Sequence, residues 1–260
     1  MQHLSLTQHE RHGLPVFEVP DMRAVGVDVW ITTRGGGVSS APYASLNLGD
    51  HVGDDLDAVA ENRRRLAAGV RVVPDHLIFT QQVHGAQVNY VEGPGEHFIG
   101  DALVSEQSDM ALAILGADCL GVVMADAFSS TFAVCHAGWR GLREGVLAHT
   151  LAAFRDPATV HVFIGPGISG ESYEVGPEVA EHFAVITGAL RPRGDRFLLD
   201  LNVVAEHQLR SRGVPASQIF TSGLHTDGGT TFFSDRAERP CGRFAVVARR
   251  ATYDEHVENH

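Results

Sequence analysis

The chain has few cysteines and no long apolar run, and these absences exclude several classes of protein. Its three cysteines, Cys119, Cys135 and Cys241, lack the spacing of a disulfide framework, so we expect a reducing compartment. The opening residues, MQHLSLTQHERHG, contain no apolar h-region of the kind a secretory signal carries. No apolar run reaches the ~18 residues that a membrane span requires. These absences predict a soluble, cytoplasmic protein with no membrane partner.

Positive charge is also scarce. The chain has 20 Lys and Arg residues against 32 Asp and Glu residues, which gives a formal net charge of -12. An acidic surface is repelled by nucleic acids and by anionic membranes, so neither is expected as a partner. A locally basic pocket for phosphate or another small anion remains possible. The 28 glycines indicate tight turns or backbone packed close to a ligand.

Short apolar runs bounded by turn residues alternate with helical patterns, which predicts an α/β fold. No internal repeat, low-complexity linker or composition break divides the 260 residues, so we predict a single domain over 1–260 with its core at about 24–249. The residues before about Pro20 read as a loose lead-in, and the tail 252–260 as frayed. The predicted strands cover 24–32, 76–83, 101–105, 111–115, 121–125, 132–134, 160–164, 219–222 and 243–249. The predicted helices cover 57–69, 137–154, 178–186 and 202–212.

One thiol and two imidazoles stand where apolar runs give way to polar residues. Cys119 and His136 lie in the stretch 115–145, and His84 lies upstream in TQQVHG. Two histidines and one cysteine are a plausible ligand set for zinc with an open fourth position. The spacings of 35 and 17 residues place the ligands on separate elements, which favours a catalytic pocket over a small structural zinc site.

The same residues permit other chemistry. Cys119 could act as a nucleophile activated by His136, as in cysteine hydrolases, with Asp118 or Gln82 orienting the imidazole or stabilising an oxyanion. A multicopper centre needs many histidines in His-x-His pairs, and none of the 15 histidines forms such a pair. A single copper ion could still use a His2Cys set.

Two further residues near these segments each allow two interpretations. Arg34, in the loop TRGGGVSSAPY, is either an anion ligand or a solvated loop arginine. Trp139 is either a core aromatic residue or a wall of the pocket. Cys135 neighbours His136 on a predicted strand, where adjacent side chains face opposite ways, and is expected in the core.

Several motifs, in their order along the chain, resemble those of the YfiH family. They are ITTRGGGVS, QQVHG, DALVS, ADCLGVVMAD, HAGWRG, GPGIS, YEVG and FFSDR. Members of that family have been called laccase-domain proteins, polyphenol oxidases and purine nucleoside phosphorylases. The resemblance implies a layered α/β fold with mixed β-sheets flanked by helices. One departure is Ser222 and Gly223, where the family often has a cysteine-threonine pair.

The resemblance also implies a function. It implies a zinc site made by His84, Cys119 and His136, and phosphorolysis of adenosine, inosine and S-methyl-5′-thioadenosine to free base and ribose 1-phosphate or 5-methylthioribose 1-phosphate. Adenosine deamination is implied as well, and copper is associated with the oxidase name. A related toxin deamidase with a Cys/His pair, and the correction of cell-wall precursors attached to relatives, keep the hydrolase alternative open.

The expected mechanism assigns roles to the remaining candidates. A zinc-activated water would attack purine C6, with Asp118 moving the proton, so Cys119, His136 and Asp118 form the expected catalytic set. Arg34 and Arg140 would bind phosphate through the guanidinium fork. The substrates would then be a nucleoside and phosphate, bound by a monomer or homodimer. Asn47 and Gln82 would hydrogen-bond to base or ribose.

Overall fold

Short apolar runs form the strands of two large sheets in the computed structural model, which describes residues 2–3, 6–95, 97–227 and 229–251. In chain order the strands are β1 (Gln2–His3), β2 (Thr7–Arg11), β3 (Leu14–Glu18), β4 (Val27–Thr32), β5 (Leu77–Ile78), β6 (Thr80–Gln81), β7 (Val88–Tyr90), β8 (Phe98–Ile99), β9 (Ala102–Ser105), β10 (Ala111–Gly116), β11 (Leu120–Asp126), β12 (Phe132–Ala137), β13 (Val160–Ile164), β14 (Glu174–Val175), β15 (Leu190–Arg193), β16 (Arg196–Leu199), β17 (Ile219–Thr221) and β18 (Phe244–Arg250).

Most of the α-helices are short, and only two of those in the described part of the chain are longer than six residues. In chain order they are α1 (Pro20–Arg23), α2 (Leu56–Gly69), α3 (Trp139–Glu144), α4 (Val146–Leu151), α5 (Pro177–Ala180), α6 (Leu201–Ser211) and α7 (Asp235–Glu238). Single 3-10 turns lie at Pro74–His76, Pro157–Thr159, Glu181–Phe183 and Ala216–Gln218.

Two mixed sheets pack face to face in the centre of the fold. One has the strand order β1-β17-β13-β11-β12-β9-β7 and the other β2-β3-β4-β18-β10-β5. Val29 and Val246 of the second sheet share one buried cluster with Val123 and Val134 of the first. Successive side chains of a strand point to opposite faces of its sheet. The apolar residues of the central strands therefore line both the inner and the outer face of each sheet.

Helices cover the two outer faces. Leu147 of α4 and Val204 of α6 pack with Val122 of β11 on the outside of the seven-stranded sheet. Leu66 of α2 packs with Trp30 of β4 on the outside of the six-stranded sheet. The fold is thus a helix–sheet–sheet–helix sandwich, and the predicted layered α/β arrangement with mixed sheets flanked by helices is confirmed.

Two small sheets lie beside the main sandwich. β14, β16 and β15 form one, and β6 and β8 form the other. β14 directly follows Tyr173, and β6 directly precedes Gln82. Both residues line the cavity described below, so these small sheets hold parts of its wall.

The prediction of a loose N-terminal lead-in is wrong. β2 and β3 pair antiparallel with each other, and β3 pairs with β4 at the edge of the six-stranded sheet. Leu14 and Val16 are buried in the core. The pattern was missed because β2 is an edge strand whose side chains are mostly exposed, so its sequence carries no apolar alternation.

Several predicted boundaries also differ. The helix predicted over 137–154 is divided into α3 and α4 by Gly145, whose φ of +82° is left-handed. The helix predicted over 178–186 is one α-turn followed by a 3-10 turn. The strand predicted over 76–83 is two short strands, and the chain leaves β6 before Gln82. The tail 252–260 lies outside the described residues.

Candidate metal centre and its cavity

Antiparallel pairing brings Cys119 and His136 together. Cys119 directly precedes β11, and His136 lies one residue before the end of β12; in the ladder Leu120 pairs with Ala137 and Gly121 with His136. His84 lies in the loop that follows β6 and has a left-handed φ of +60°. The three residues come from different parts of the sequence and meet at one end of the seven-stranded sheet.

The ligand atoms of His84, Cys119 and His136 all lie within 4.8 Å of one another. In the part of the chain that the structure describes, this is the one group of three or more His, Cys, Asp or Glu side chains placed to hold a metal ion. Their exposure rises outward, from buried His136 through half-buried Cys119 to exposed His84. The group therefore has an inner, fixed side and an outer, open side.

Asp101 fixes this group from behind. Its side chain is fully buried, and its Oδ1 accepts a hydrogen bond from Nδ1 of His136 at 2.8 Å. The bond leaves Nε2 of His136 as the ring nitrogen available to a metal ion, the arrangement that orients metal-binding histidines. The same carboxylate accepts the backbone N–H groups of Val83, His84 and Gly85 at 3.2, 2.9 and 2.7 Å. One carboxylate thus holds two of the three candidate ligands.

Charge within the group favours a thiolate. Burial raises the pKa of the Cys119 thiol, but the charge and hydrogen bonding of His136 and His84 outweigh it and bring the pKa to about 6. Burial lowers the pKa of His136, but the charge of Cys119 and the hydrogen bond to Asp101 raise it to about 9. Burial likewise raises the pKa of Asp101, and the bond to His136 lowers it below its ordinary value.

Gly138 allows the thiol to lie against the backbone of the HAGWRG turn. A Cβ atom at this position would lie 2.6 Å from Cys119 Sγ, which is closer than van der Waals contact permits. Any larger residue at Gly138 would therefore displace the thiol. Glycine is required here because the Cys119 thiol lies close to the backbone, not because the φ angle is unusual.

The open side of the group faces a cavity of about 670 Å³, within the size range of small-molecule sites. It is lined by His51, Gln82, His84, Leu115, Ala117, Asp118, Cys119, His136, Trp139, Arg140, Tyr173, Asp235, Arg236, Arg239 and Arg243.

Two expected site residues line this cavity with their polar groups already engaged. The Gln82 amide exchanges two hydrogen bonds with the backbone of Leu115, at 3.0 and 2.8 Å. Asp118 has a left-handed φ of +97°. Its carboxylate accepts hydrogen bonds from the hydroxyls of Thr226 and Ser234 and from the backbone N–H of Arg236, at 2.6 to 2.7 Å. Through these contacts Asp118 holds in place the segments that contain Thr226, Ser234 and Arg236.

The structure separates the two predicted phosphate ligands. Arg140 lines the cavity, with its guanidinium 4.4 Å from the centre of the Trp139 ring. Arg34 does not line it and instead forms an ion pair with Glu238 at 3.0 Å. Asn47 is fully buried away from the lining, where its amide bonds to Asp54 and to backbone groups.

Sequence reasoning missed several residues of this site. The sequence predicts Asp101 only as the start of a strand, although a carboxylate that directly follows Gly100 at a strand start is a usable signal. Tyr173 and Arg236 lie in the YEVG and FFSDR motifs, whose residue types alone do not indicate a binding role. Trp139, left open between core and pocket, lines the cavity.

Comparison with known sequences identifies the family. Residues 28–251 match the family described as multi-copper polyphenol oxidoreductase laccase. The chain is 39% identical over 227 residues to the purine nucleoside phosphorylase YfiH of Escherichia coli, covering 85% of this chain and 92% of that protein. It is 40% identical over 225 residues to a purine nucleoside phosphorylase of Pseudomonas aeruginosa, covering 84% and 90%. The chain belongs to the YfiH family.

Solved structures of YfiH-family proteins share the fold. YlmD from Geobacillus stearothermophilus aligns with a TM-score of 0.88 at 30% identity, covering 95% of this chain and 99% of that one. YfiH from Bacillus licheniformis aligns with a TM-score of 0.85 at 26% identity, covering 91% and 96%. No helix among the described residues is both long and apolar enough to cross a membrane.

Proposed function

We propose that this YfiH-family chain is a metal-dependent purine nucleoside phosphorylase that cleaves adenosine, inosine and S-methyl-5′-thioadenosine. The supporting observation is that the His84–Cys119–His136 group opens into a cavity whose wall carries four arginines. A metal beside a cationic wall suits a reaction whose second substrate is phosphate. Relatives at 39% and 40% identity bear the name purine nucleoside phosphorylase.

Zinc is the metal that we assign to the group. Its donors are two imidazoles and a thiol whose pKa of about 6 favours the thiolate at neutral pH, and zinc binds both donor types in catalytic sites with three protein ligands. When bound, it would supply Lewis acidity to a substrate oxygen or to water. A single copper ion could use the same donors, and metal analysis of the purified protein distinguishes the two.

In phosphorolysis a phosphate oxygen forms a bond to ribose C1′, the C1′–N9 bond breaks, and the base leaves with the electron pair and takes up a proton. The arginines of the wall would balance the phosphate charge. Burial and then the charge of Cys119 raise the pKa of Tyr173 to about 12, so its hydroxyl stays protonated and can donate a hydrogen bond. Leu115 and Ala117 supply apolar lining against which a base would pack.

Adenosine deamination is a second activity that we propose for the same cavity. It replaces the amino group at purine C6 by oxygen from water and releases ammonia. It needs the metal group and the base subsite but no phosphate. The two reactions are therefore separable by omitting phosphate.

One observation favours a different function, that of a cysteine hydrolase or amidase. Cys119 with a pKa of about 6, His136 with a pKa of about 9 and Asp101 bonded to Nδ1 have the order of a thiolate, imidazolium and carboxylate triad. In that case activity would survive removal of metal, and an amide rather than a nucleoside would be the substrate.

The experiment compares wild type, Cys119→Ala and chelated wild type, with zinc content and unfolding temperature measured for each. Under the phosphorylase proposal both altered forms lose nucleoside cleavage while Cys119→Ala stays folded, and added zinc restores only the chelated wild type. Full phosphorolysis by Cys119→Ala would refute the metal-centred mechanism. Amide hydrolysis by chelated wild type would instead support the cysteine hydrolase.

A further inference from the structure

Two pairs of arginines line the cavity, and they differ in their partners. Arg239 and Arg243 share the carboxylate of Asp235, with Arg243 Nη2 at 3.0 Å from Oδ1 and Arg239 on Oδ2. Neither Arg140 nor Arg236 forms an ion pair with a carboxylate in the described parts of the chain. In a chain of net charge -12, two guanidinium groups without a carboxylate partner on a cavity wall are available to an anion.

The position of Arg236 is set by three contacts. Its Nη1 donates to the backbone carbonyl of Glu174 at 2.9 Å, and its guanidinium lies 5.1 Å from the centre of the Tyr173 ring. Its backbone N–H donates to Asp118 Oδ2 at 2.7 Å. One nitrogen is thus held by the protein, while the rest of the fork can bond an oxyanion.

Arg140 approaches from a different element. It lies in the first turn of α3 and stacks on Trp139 at 4.4 Å. Tyr173 lines the same cavity as Arg140 and Cys119, and the guanidinium of Arg236 lies over its ring. Guanidinium groups held on aromatic rings lose less freedom when they bind a ligand.

We propose that Arg140, Tyr173 and Arg236 form the subsite that binds inorganic phosphate, next to the His84–Cys119–His136 group. This inference rests on the proposed phosphorylase function and names the residues that select its second substrate. Arg239 and Arg243 form a separate pair that shares the single carboxylate of Asp235, which offsets one of their two positive charges.

Asp118 is the positioning residue of this subsite. It precedes Cys119 directly in the chain, and its carboxylate ties down the backbone of Arg236 and the hydroxyls of Thr226 and Ser234. A left-handed φ of +97° is unfavourable for an aspartate, and these three hydrogen bonds stabilise it. Asp118 therefore links the segment that carries the Cys119 thiolate to the backbone of Arg236.

The test uses zinc-loaded Arg140→Gln, Arg236→Gln and Tyr173→Phe. Arg210→Gln is the control, because Arg210 is an exposed α6 residue paired with Glu206 and lies outside the cavity lining. Rates of inosine cleavage are measured against phosphate concentration. Loss of one charged hydrogen-bonding partner should raise the KM for phosphate about tenfold to a hundredfold for each arginine variant. The KM for inosine and the zinc content should change less than about twofold, and the control should match wild type.

Equilibrium dialysis with radiolabelled phosphate supplies a second readout that does not need turnover. Wild type should bind phosphate. Arg236→Gln and Arg140→Gln should lose that binding while they retain the zinc content and the unfolding temperature of the wild type. Unchanged phosphate KM and unchanged phosphate binding in both variants would overturn the inference, as would a wild type that binds no phosphate. A third outcome separates the two proposals. If wild type binds phosphate through these arginines but cleaves no nucleoside, the phosphate subsite is supported and the proposed function is rejected.

Discussion

Asp101 holds two of the three candidate metal ligands although it does not line the cavity itself. Four N–H groups converge on its two oxygens, three from the backbone of 83–85 and one from His136. The backbone bonds hold the left-handed His84 in place, and the imidazole bond selects the tautomer of His136. A carboxylate behind a metal-binding histidine typically contributes to both orientation and basicity.

Replacing Asp101 with Asn should therefore weaken zinc binding. The amide has one acceptor oxygen for the four donors, and its N–H groups would oppose them. We expect zinc affinity to fall about tenfold to a hundredfold, measured by competition with a chromogenic chelator. Asp126→Asn is the matched control, because Asp126 is also buried and hydrogen-bonded but lies at the far end of β11. An equal loss of affinity in both variants would contradict the role given to Asp101.

The pKa of Cys119 predicts how the metal-free protein reacts with a thiol reagent. Because His136 and His84 lower that pKa from 9.0 to about 6, the thiolate fraction should rise through pH 6 and be near its maximum at pH 7.5. Cys135 should stay unlabelled, since burial raises its pKa to about 12. Iodoacetamide rates between pH 5 and 9, followed by peptide mass analysis, measure this. A midpoint above pH 8 would show that the imidazoles do not stabilise the thiolate.

At the scale of elements, the hairpin of β11 and β12 and the break after α3 build the site. The hairpin register places Cys119 beside the HAGWRG turn, and Gly145 ends α3 so that α4 can cover the sheet. The apolar pattern of 132–151 predicts strand and helix correctly, because buried side chains follow the strand and helix periods. It does not show the break, because Val146 and Leu147 continue the same apolar face.

Gly145→Ala should destabilise the protein through its backbone conformation alone. Its φ is +82°, and a Cβ atom would meet nothing within 4 Å, so the cost is that of a left-handed alanine, about 1–2 kcal/mol. Urea unfolding measures it. Gly93 also has open space around a Cβ atom but no left-handed φ, so Gly93→Ala should change stability by less than about 0.5 kcal/mol. Equal effects of the two substitutions would contradict this explanation.

At the scale of the whole molecule, two sheets bring distant segments to one cavity. The three candidate ligands could be selected from the sequence because thiol and imidazole are rare, chemically distinct groups at the ends of apolar runs. The arginines of 236–243 could not be placed, since their position depends on how the C-terminal loop folds back onto Asp118. The glycine-rich loop around Arg34 suggests an anion ligand, but the ion pair of Arg34 with Glu238 is a contact across 204 residues that the sequence does not show.

The N-terminal strands show the same limit. The sequence gives no sign that β2 and β3 extend the six-stranded sheet, because one short apolar run among polar residues is not distinctive. Leu14 is nevertheless fully buried with Val16 and Trp30. The strand belongs to the core.

Leu14→Ala should therefore destabilise the protein by about 2–5 kcal/mol, as truncation of a buried leucine does. Chemical unfolding monitored by fluorescence measures it. Leu56→Ala is the control, because Leu56 is 63% exposed at the start of α2 and its truncation should cost less than about 0.5 kcal/mol. A cost for Leu14→Ala as small as that of the control would mean that β3 does not contribute to the core.

The central claim is that the metal group and the arginine wall together perform phosphorolysis of a purine nucleoside. It is tested most directly by incubating metal-quantified protein with adenosine and with inosine, each with and without phosphate, and separating the products by chromatography. We predict free base and ribose 1-phosphate only when phosphate is present, and inosine from adenosine whether or not phosphate is present. Zinc-loaded, folded protein that yields no ribose 1-phosphate from either nucleoside would contradict the claim.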